Sequence, residues 1–167
     1  CLAIIVPELA RQWHPSKNGK ITPYDVAPSG SKIIWWKCHL ADDHEWQSTI
    51  NNRYNLSKKK IGGCPFCSSQ KTAYSTSLKK INPELAKQWH PYKNGLLKPE
   101  HINPYSNKKV WWKCDKGDDH EWEATVANRS KGDDCSVCGN ITTVNSNSLK
   151  TLRPDLFKEL HPTKNGN

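Results

Sequence analysis

Short alternating or bulky stretches lie between polar loops along the chain, and they predict small elements of secondary structure. Residues 120–126 read His-Glu-Trp-Glu-Ala-Thr-Val, so the apolar residues and the histidine share one face. This period of two predicts a half-buried β-strand. The bulky, β-prone stretches at 109–114 and 33–36 predict a strand of the same kind. We therefore expect two strands joined by a turn.

A helix start precedes the predicted strands. Pro-Glu-Leu-Ala occurs at 7–10 and again at 83–86, and proline is favoured at the first position of a helix. His-Pro and then Asn-Gly follow, and these end the helix after about two turns. The predicted order is a short helix, a loop, a β-hairpin, a loop and a CxxC turn.

The whole pattern is repeated along the chain. Residues 7–15 return at 83–91 and, in altered form, at 154–162. Trp-Trp-Lys-Cys, His-Glu-Trp and an arginine return 76 residues later, whereas the CxxC pair returns 71 residues later. Loops absorb length changes of this kind more readily than cores do, which predicts a surface loop at 54–63.

The repeats divide the chain into modules and connecting segments. Two of the segments are rich in Ser, Thr, Asn and Lys, and we interpret them as linkers. The divisions are 7–67 (module 1), 68–82 (linker), 83–138 (module 2), 139–153 (linker) and 154–167 (the truncated start of a third module). Because the last repeat is interrupted, we expect the sequence to be a fragment of a longer protein.

The composition indicates modules that need a metal ion or disulfide bonds to be stable. Of the 167 residues only 35% are apolar, with 2 Phe and no Met but 8 Trp and 7 Cys. A domain of about 60 residues buries too little apolar surface to be secure without a metal or disulfides. The fold class expected is therefore a tandem of small α+β modules, each stabilised by a metal ion or by disulfides.

Three cysteines and one histidine recur at matching places in each module, and they predict a closed zinc site. Three thiolates and one imidazole form a tetrahedral structural site with no position left for a substrate water. A disulfide framework is the alternative, but three cysteines per module and a histidine as the fourth group do not fit it. Two Zn²⁺ ions are predicted, one bound by Cys38, His44, Cys64 and Cys67 and the other by Cys114, His120, Cys135 and Cys138.

These motifs resemble those of a known family. Trp-His-Pro, Lys-Asn-Gly, Trp-Trp-Lys-Cys, His-Glu-Trp, Asn-Arg and Cys-Pro-x-Cys occur in this order, which is similar to the probable zinc-ribbon domain family of tandem treble-clef-like modules. The resemblance covers nearly the whole chain and implies zinc binding by the eight residues above. It also implies company with DNA-processing or nuclease domains, which favours DNA over RNA as a partner.

Charge suggests a polyanionic partner. The chain has 25 basic and 16 acidic residues, a net charge of +9, which makes binding to a phosphate backbone plausible. Module 1 carries +4 and residues 68–82 carry +3, whereas module 2 is neutral. We therefore expect the lysines of the first module and its linker to dominate, and module 2 to be available to protein partners. The candidate lysines are Lys58, Lys59, Lys60 and Lys71.

Two repeated arginines and two tryptophans are further candidates for nucleic-acid contact. Arg53 and Arg129 follow an asparagine in both modules and could contact a phosphate or a base edge. The alternative is an internal ion pair with a glutamate, or stacking on a tryptophan. Trp35 and Trp111 are expected on the outer strand face, where they could stack on bases, while the other tryptophans form the core.

Catalysis and membrane insertion are not expected. The Asp-His pairs at 43–44 and 119–120 are similar to those of nucleases with a ββα metal motif, but zinc already requires His44 and His120. The neighbouring aspartates most simply solvate an exposed turn.

The sequence contains no apolar run of about 18 residues, and unpaired cysteines indicate a reducing, intracellular compartment. The function expected is non-catalytic nucleic-acid binding, and the alternative is docking on protein or ribonucleoprotein in a larger assembly.

Overall fold

The computed structural model describes residues 1–59 and 63–165, in which the two modules have the same order of elements. Module 1 extends to before residue 7, because Leu2 is in its core, and contains α1 (Leu2–Ile5), α2 (Pro7–Ala10), β1 (Ile33–Lys37), β2 (Glu45–Thr49) and α3 (Ile50–Lys58). Module 2 contains α4 (Leu78–Ile81), α5 (Pro83–Lys87), β3 (Lys109–Lys113), β4 (Glu121–Thr125) and α6 (Val126–Ser130). The third repeat contributes α7 (Leu149–Leu152) and α8 (Pro154–Lys158). Two short 3₁₀ turns, Tyr74–Thr76 and Pro99–His101, complete the elements of the described residues.

Each module is built on an antiparallel two-stranded hairpin whose buried face carries a pair of tryptophans. Trp36 pairs with Trp46, and Trp112 pairs with Trp122. Trp36 and Trp112 are fully buried, and their indole Nε1 atoms donate to strand carbonyls 3.0 and 3.1 Å away. A buried indole needs such an acceptor. The predicted strands and their inward tryptophans are confirmed.

The Lys-Asn-Gly turn joins the helical part of each module to the edge of its hairpin. The side-chain amide of Asn18 donates to the carbonyl of Trp35, and its oxygen accepts from the amide of the same residue, both at 2.9 Å. Asn94 forms the same two bonds with Trp111. Asparagine therefore acts as a strand partner, and Gly19, at φ 60°, takes the left-handed conformation that the turn requires.

The length difference between the modules lies partly in a helix. The sequence predicts a surface loop at 54–63, but α3 continues to Lys58 and spans 9 residues, whereas α6 spans 5. Both helices begin directly after the second strand, with the hydroxyl of Thr49 or Thr125 accepting an amide of the first turn. The inserted residues therefore extend this helix. Residues 60–62 are outside the described part of the chain.

The segment 68–82, predicted to be a linker, contains α4 and contributes to the core of module 2. Leu78 is fully buried and packs in the cluster of Leu85, Val110 and Trp112. Leu2 of α1 has the same place in module 1. A single leucine among serines and lysines gives little apolar pattern, which is why the sequence conceals this contact. In 1–59 and 63–165, no helix has the length and apolarity needed to cross a bilayer.

Candidate metal centres

Two turns bring the four ligands of each site together. Cys38 directly follows β1 and His44 directly precedes β2, so the hairpin turn places them side by side. The amide of Cys38 donates to the carbonyl of His44 at 3.0 Å, which closes the end of the hairpin. The CxxC turn after α3 supplies Cys64 and Cys67. This arrangement is repeated in module 2.

The ligand atoms in module 1 have the spacing of a tetrahedral zinc site. The Sγ atoms of Cys38 and Cys67 are 3.8 Å apart. Nδ1 of His44 lies 3.5 Å from Sγ of Cys64 and 3.4 Å from Sγ of Cys67. Around a tetrahedral Zn²⁺, two sulfurs are separated by about 3.8 Å and a sulfur and a nitrogen by about 3.5 Å. The donor set and its geometry therefore fit zinc.

Module 2 has an equivalent site. The Sγ atoms of Cys114 and Cys138 are 3.8 Å apart. Nδ1 of His120 lies 3.9 Å from Sγ of Cys135 and 3.3 Å from Sγ of Cys138. In both sites all four ligand atoms lie within 4.8 Å of one another. The eight predicted ligands thus form two groups that can each bind one Zn²⁺.

Backbone amides favour the thiolate form of the hairpin cysteines, whereas burial and the neighbouring thiols keep the CxxC cysteines protonated while no cation is bound. The amides of Leu40 and Lys116 each point at the sulfur of the preceding hairpin cysteine, at 3.5 Å. Burial and the neighbouring thiols raise the pKa of Cys67 to about 12 and that of Cys138 to about 11. Zinc binds thiolates, so binding must release these protons and reverse the shift.

A serine and an aspartate orient each ligand histidine. With Nδ1 directed at the metal, Nε2 of His44 donates to Oγ of Ser75 at 3.0 Å. The Ser75 hydroxyl donates in turn to Asp43 at 2.7 Å. His120, Ser146 and Asp119 repeat the chain of bonds at 3.2 and 2.7 Å.

The role of these aspartates corrects the interpretation that they only solvate a turn. The backbone amide and the hydroxyl of Ser146 lower the pKa of Asp119, which keeps the carboxylate ionised as an acceptor. Sequence reasoning missed both serines. The available signal was their identical position, eight residues after the last cysteine of each module.

Arg53 and Arg129 lie inside their modules. Only 4% of Arg53 and 6% of Arg129 is exposed. Nη2 of each arginine donates to a glutamine of the helical part, Gln12 at 2.7 Å or Gln88 at 2.6 Å. The guanidinium groups also lie 5.2–5.7 Å from the rings of the inward tryptophans. This placement corresponds to the internal stacking alternative, because these guanidinium groups face protein.

Trp35 and Trp111 are half-buried, on the outer face of their hairpins. The ammonium group of Lys17 lies 4.6 Å from the Trp35 ring centre, and Lys93 lies 4.2 Å from that of Trp111. Lys17 also pairs with Glu45. A cation and an aromatic face are therefore presented together in both modules.

A glutamate and a buried histidine anchor these lysines. Nδ1 of His14 accepts the amides of Ser16 and Lys17 at 3.2 and 3.1 Å, so Nε2 carries the proton donated to Glu45 at 2.9 Å. Hydrogen bonds from Lys17 and His14 lower the pKa of Glu45 to about 2. This network explains the repeated spacing of the histidine, the lysine and the glutamate.

The predicted lysines are placed at the surface where the structure describes them. Lys58 and Lys59 are exposed at the end of α3, and Lys58 lies 4.3 Å from the ring centre of Tyr54. Lys71 is exposed beyond the CxxC turn and lines a shallow groove beside β2. Lys60 is outside the described residues.

The hairpins and the two sets of three thiolates and one imidazole define a class of protein, namely tandem zinc-binding modules of the treble-clef type. The family described as "Probable Treble clef zinc finger domain" matches the chain twice, over residues 9–70 and 85–141. The chain belongs to this family. No curated protein matches it. The predicted fold class, tandem organisation and zinc are confirmed.

Proposed function

We propose that the chain is a non-catalytic unit that binds nucleic acid, DNA in preference to RNA, mainly through the phosphate backbone. The observation that carries this proposal is the difference in charge between two modules with the same fold. Residues 7–67 of module 1 have a net charge of +4, whereas residues 78–138, which include α4 of module 2, have a net charge of +2. The same fold therefore carries more positive charge in module 1 than in module 2, as expected if module 1 provides a polyanion-binding surface. The family resemblance suggests that the parent protein processes DNA.

The closed metal sites support the absence of catalysis. Each site supplies four protein ligands, which fill a tetrahedral coordination shell and leave no position for a reactive water. The histidines of the two Asp-His pairs, His44 and His120, belong to these ligand sets. Zinc therefore supplies structure to these modules, and the parent protein would supply chemistry elsewhere.

Lysines carry the proposed contact, since both repeated arginines are internal. Lys58, Lys59 and Lys71 are exposed around the end of α3 and the segment after the CxxC turn. Lysine provides a flexible point charge that attracts phosphate without reading bases. Trp35, half-buried beside Lys17, can add stacking on a single-stranded base.

Charge reversal in one module at a time tests the proposal. The variant Lys58→Glu/Lys59→Glu/Lys71→Glu in module 1 and the segment after it is compared with Lys108→Glu/Lys116→Glu/Lys131→Glu in module 2, which also changes three exposed lysines. Fluorescence anisotropy of a labelled generic duplex is measured at 50 and 200 mM salt. We expect the first variant to lose roughly tenfold or more in affinity and to show a shallower salt dependence. Equal losses in both variants, or wild-type binding that ignores salt, would reject backbone binding by module 1.

Docking on protein is the second candidate, and an acidic groove on module 2 favours it. Glu123, Asp133 and Asp134, together with Glu121, which already pairs with Lys93, line a groove of about 710 Å³ next to Trp111. Such a groove suits a basic segment of a protein or ribonucleoprotein. An arginine-rich peptide is the probe, and Glu123→Gln/Asp133→Asn/Asp134→Asn is the variant. Two results together would favour the docking role: loss of peptide binding in this variant, and the same duplex affinity for the wild type and the module 1 charge-reversal variant.

A further inference from the structure

Each zinc site reaches into the segment that begins the next repeat. Ser75, the partner of the His44 imidazole, belongs to residues 73–78, which we call the connecting segment. Ala73 packs against the core of module 1, while Leu78 is fully buried in the core of module 2. Only two residues separate the zinc-site serine from a core residue of the following module.

Hydrogen bonds make the connecting segment continuous from the metal site to α4. Asp43 accepts both the hydroxyl and the backbone amide of Ser75, at 2.7 and 2.9 Å. Two residues later Ser77, fully buried, accepts the amide of Lys80 and so caps α4. The amide of Leu78 then donates to the carbonyl of Ile102 at 2.7 Å.

The arrangement recurs after module 2. Val144 packs against the core of that module, Ser146 contacts His120 at 3.2 Å and Asp119 at 2.7 Å, and Ser148 caps α7. The two connecting segments thus contain the same series: a residue packed against the previous core, a serine on the zinc ligand, a capping serine, and a leucine that begins the next repeat. This leucine is fully buried in the first segment (Leu78) and 42% exposed in the second (Leu149). Two occurrences with different neighbours indicate a built connection.

We propose that Ser75 with Asp43, and Ser146 with Asp119, are positioning residues for the zinc-binding imidazole and that they couple zinc binding in one module to the folding of the next helix pair. With zinc bound, the His44 Nε2–H has a fixed direction and offers Ser75 a partner at one place only. Ser75 is then fixed to module 1. Because only two residues separate Ser75 from Leu78, this attachment also orders the first residues of α4. Without zinc the imidazole can turn, and the connecting segment loses its attachment to module 1.

Zinc affinity tests the positioning role, with the two sites serving as controls for each other. Ser75→Ala and Asp43→Asn are prepared in the full zinc-loaded chain, with Ser146→Ala as the matched variant of the other site. Competition with a chromogenic chelator measures the affinity of both sites. We expect Ser75→Ala to weaken one site roughly 10- to 100-fold and to leave the other within about twofold, as removal of a hydrogen-bond partner of a ligand histidine does.

Ser75→Thr, which keeps the hydroxyl, should restore affinity. Equal affinities for wild type and Ser75→Ala, or a failure of threonine to do better than alanine, would overturn the positioning role.

Hydrogen exchange tests the coupling. In the zinc-loaded wild type the amides of Ile81 and Asn82 are bonded within α4, to Ser77 and Leu78, and they should exchange slowly. Asp43→Asn should accelerate exchange at residues 77–82 several-fold while the strands of module 2 remain protected. Emptying site 1 through Cys64→Ser/Cys67→Ser should accelerate it further. Unchanged exchange at 77–82 in both variants would show that the segment is a passive tether, and the coupling would be rejected.

Discussion

The bond pair between Asn18 and Trp35 gives a sharp test of how the repeated motif works. In the variant Asn18→Ala, the amide and the carbonyl of Trp35 both lose a partner at 2.9 Å, and both groups are partly buried. A hydrogen bond of this kind contributes about 0.5–1.5 kcal/mol net, so we expect a loss of about 2 kcal/mol in the free energy of unfolding. For a module of this size that corresponds to a fall in Tm on the order of 10 °C.

Urea unfolding of the zinc-saturated chain, followed by tryptophan fluorescence, measures this loss. Asn94→Ala is the matched variant, because Asn94 makes the same bonds with Trp111 at 2.9 and 2.8 Å, and it should show a similar loss in module 2. Asn18→Asp adds a second comparison. It keeps the acceptor for the Trp35 amide but turns a carboxylate oxygen toward the Trp35 carbonyl, so it should be at least as destabilising as alanine. A loss below about 0.5 kcal/mol for Asn18→Ala, or an aspartate variant as stable as the wild type, would refute the strand-partner role.

The remaining predictions concern the same turn and its glutamate. Gly19→Ala should cost roughly 1–2 kcal/mol in the same urea experiment, because the residue sits at φ 60° with open space around it, so that backbone strain alone acts. Glu45→Gln should destabilise module 1, and the loss should have its full size at pH 7. The folded pKa of Glu45 is lowered to about 2, so the carboxylate contributes its whole stabilisation above the ordinary glutamate pKa of about 4.3. This stabilisation declines only as the pH falls from there toward 2. Urea midpoints measured between pH 7 and the acid unfolding transition check this, and a cost that increases on acidification would contradict it.

The metal sites and the hairpins could be predicted from the sequence because their signals are local and repeated. Three cysteines and a histidine at a repeated spacing have few roles other than metal binding. The spacing of Cys38, His44, Cys64 and Cys67 therefore predicts the ligand set directly. The strands show a period of two, and Trp36 and Trp46 share the inner face as that period requires.

Helix α3 could not be predicted in the same way. Its sequence contains three asparagines, and its propensity for helix is low. It forms because the hairpin places Thr49 as a cap and because Ile50 and Arg53 are buried against the module. Tertiary contacts of this kind leave no local pattern.

The arginines and the connecting serines show a different limit. A repeated arginine is equally compatible with a ligand contact and with an internal role, and only the position of its partner distinguishes them. That partner, Gln12 or Gln88, is 41 residues away in the sequence. Ser75 likewise bonds to groups 31 and 32 residues earlier, and serine is common enough that its repetition alone predicts little.

The most direct test of the central claim is the zinc content of the purified chain, measured by elemental analysis together with the count of reactive thiols. We expect two zinc ions per chain and rapid reaction of Cys1 alone, because the other six cysteines are ligands. Chelation should release both ions, expose six more thiols and abolish the native near-ultraviolet circular dichroism. A chain that is fully folded without metal, or whose cysteines are joined in disulfides, would contradict the account.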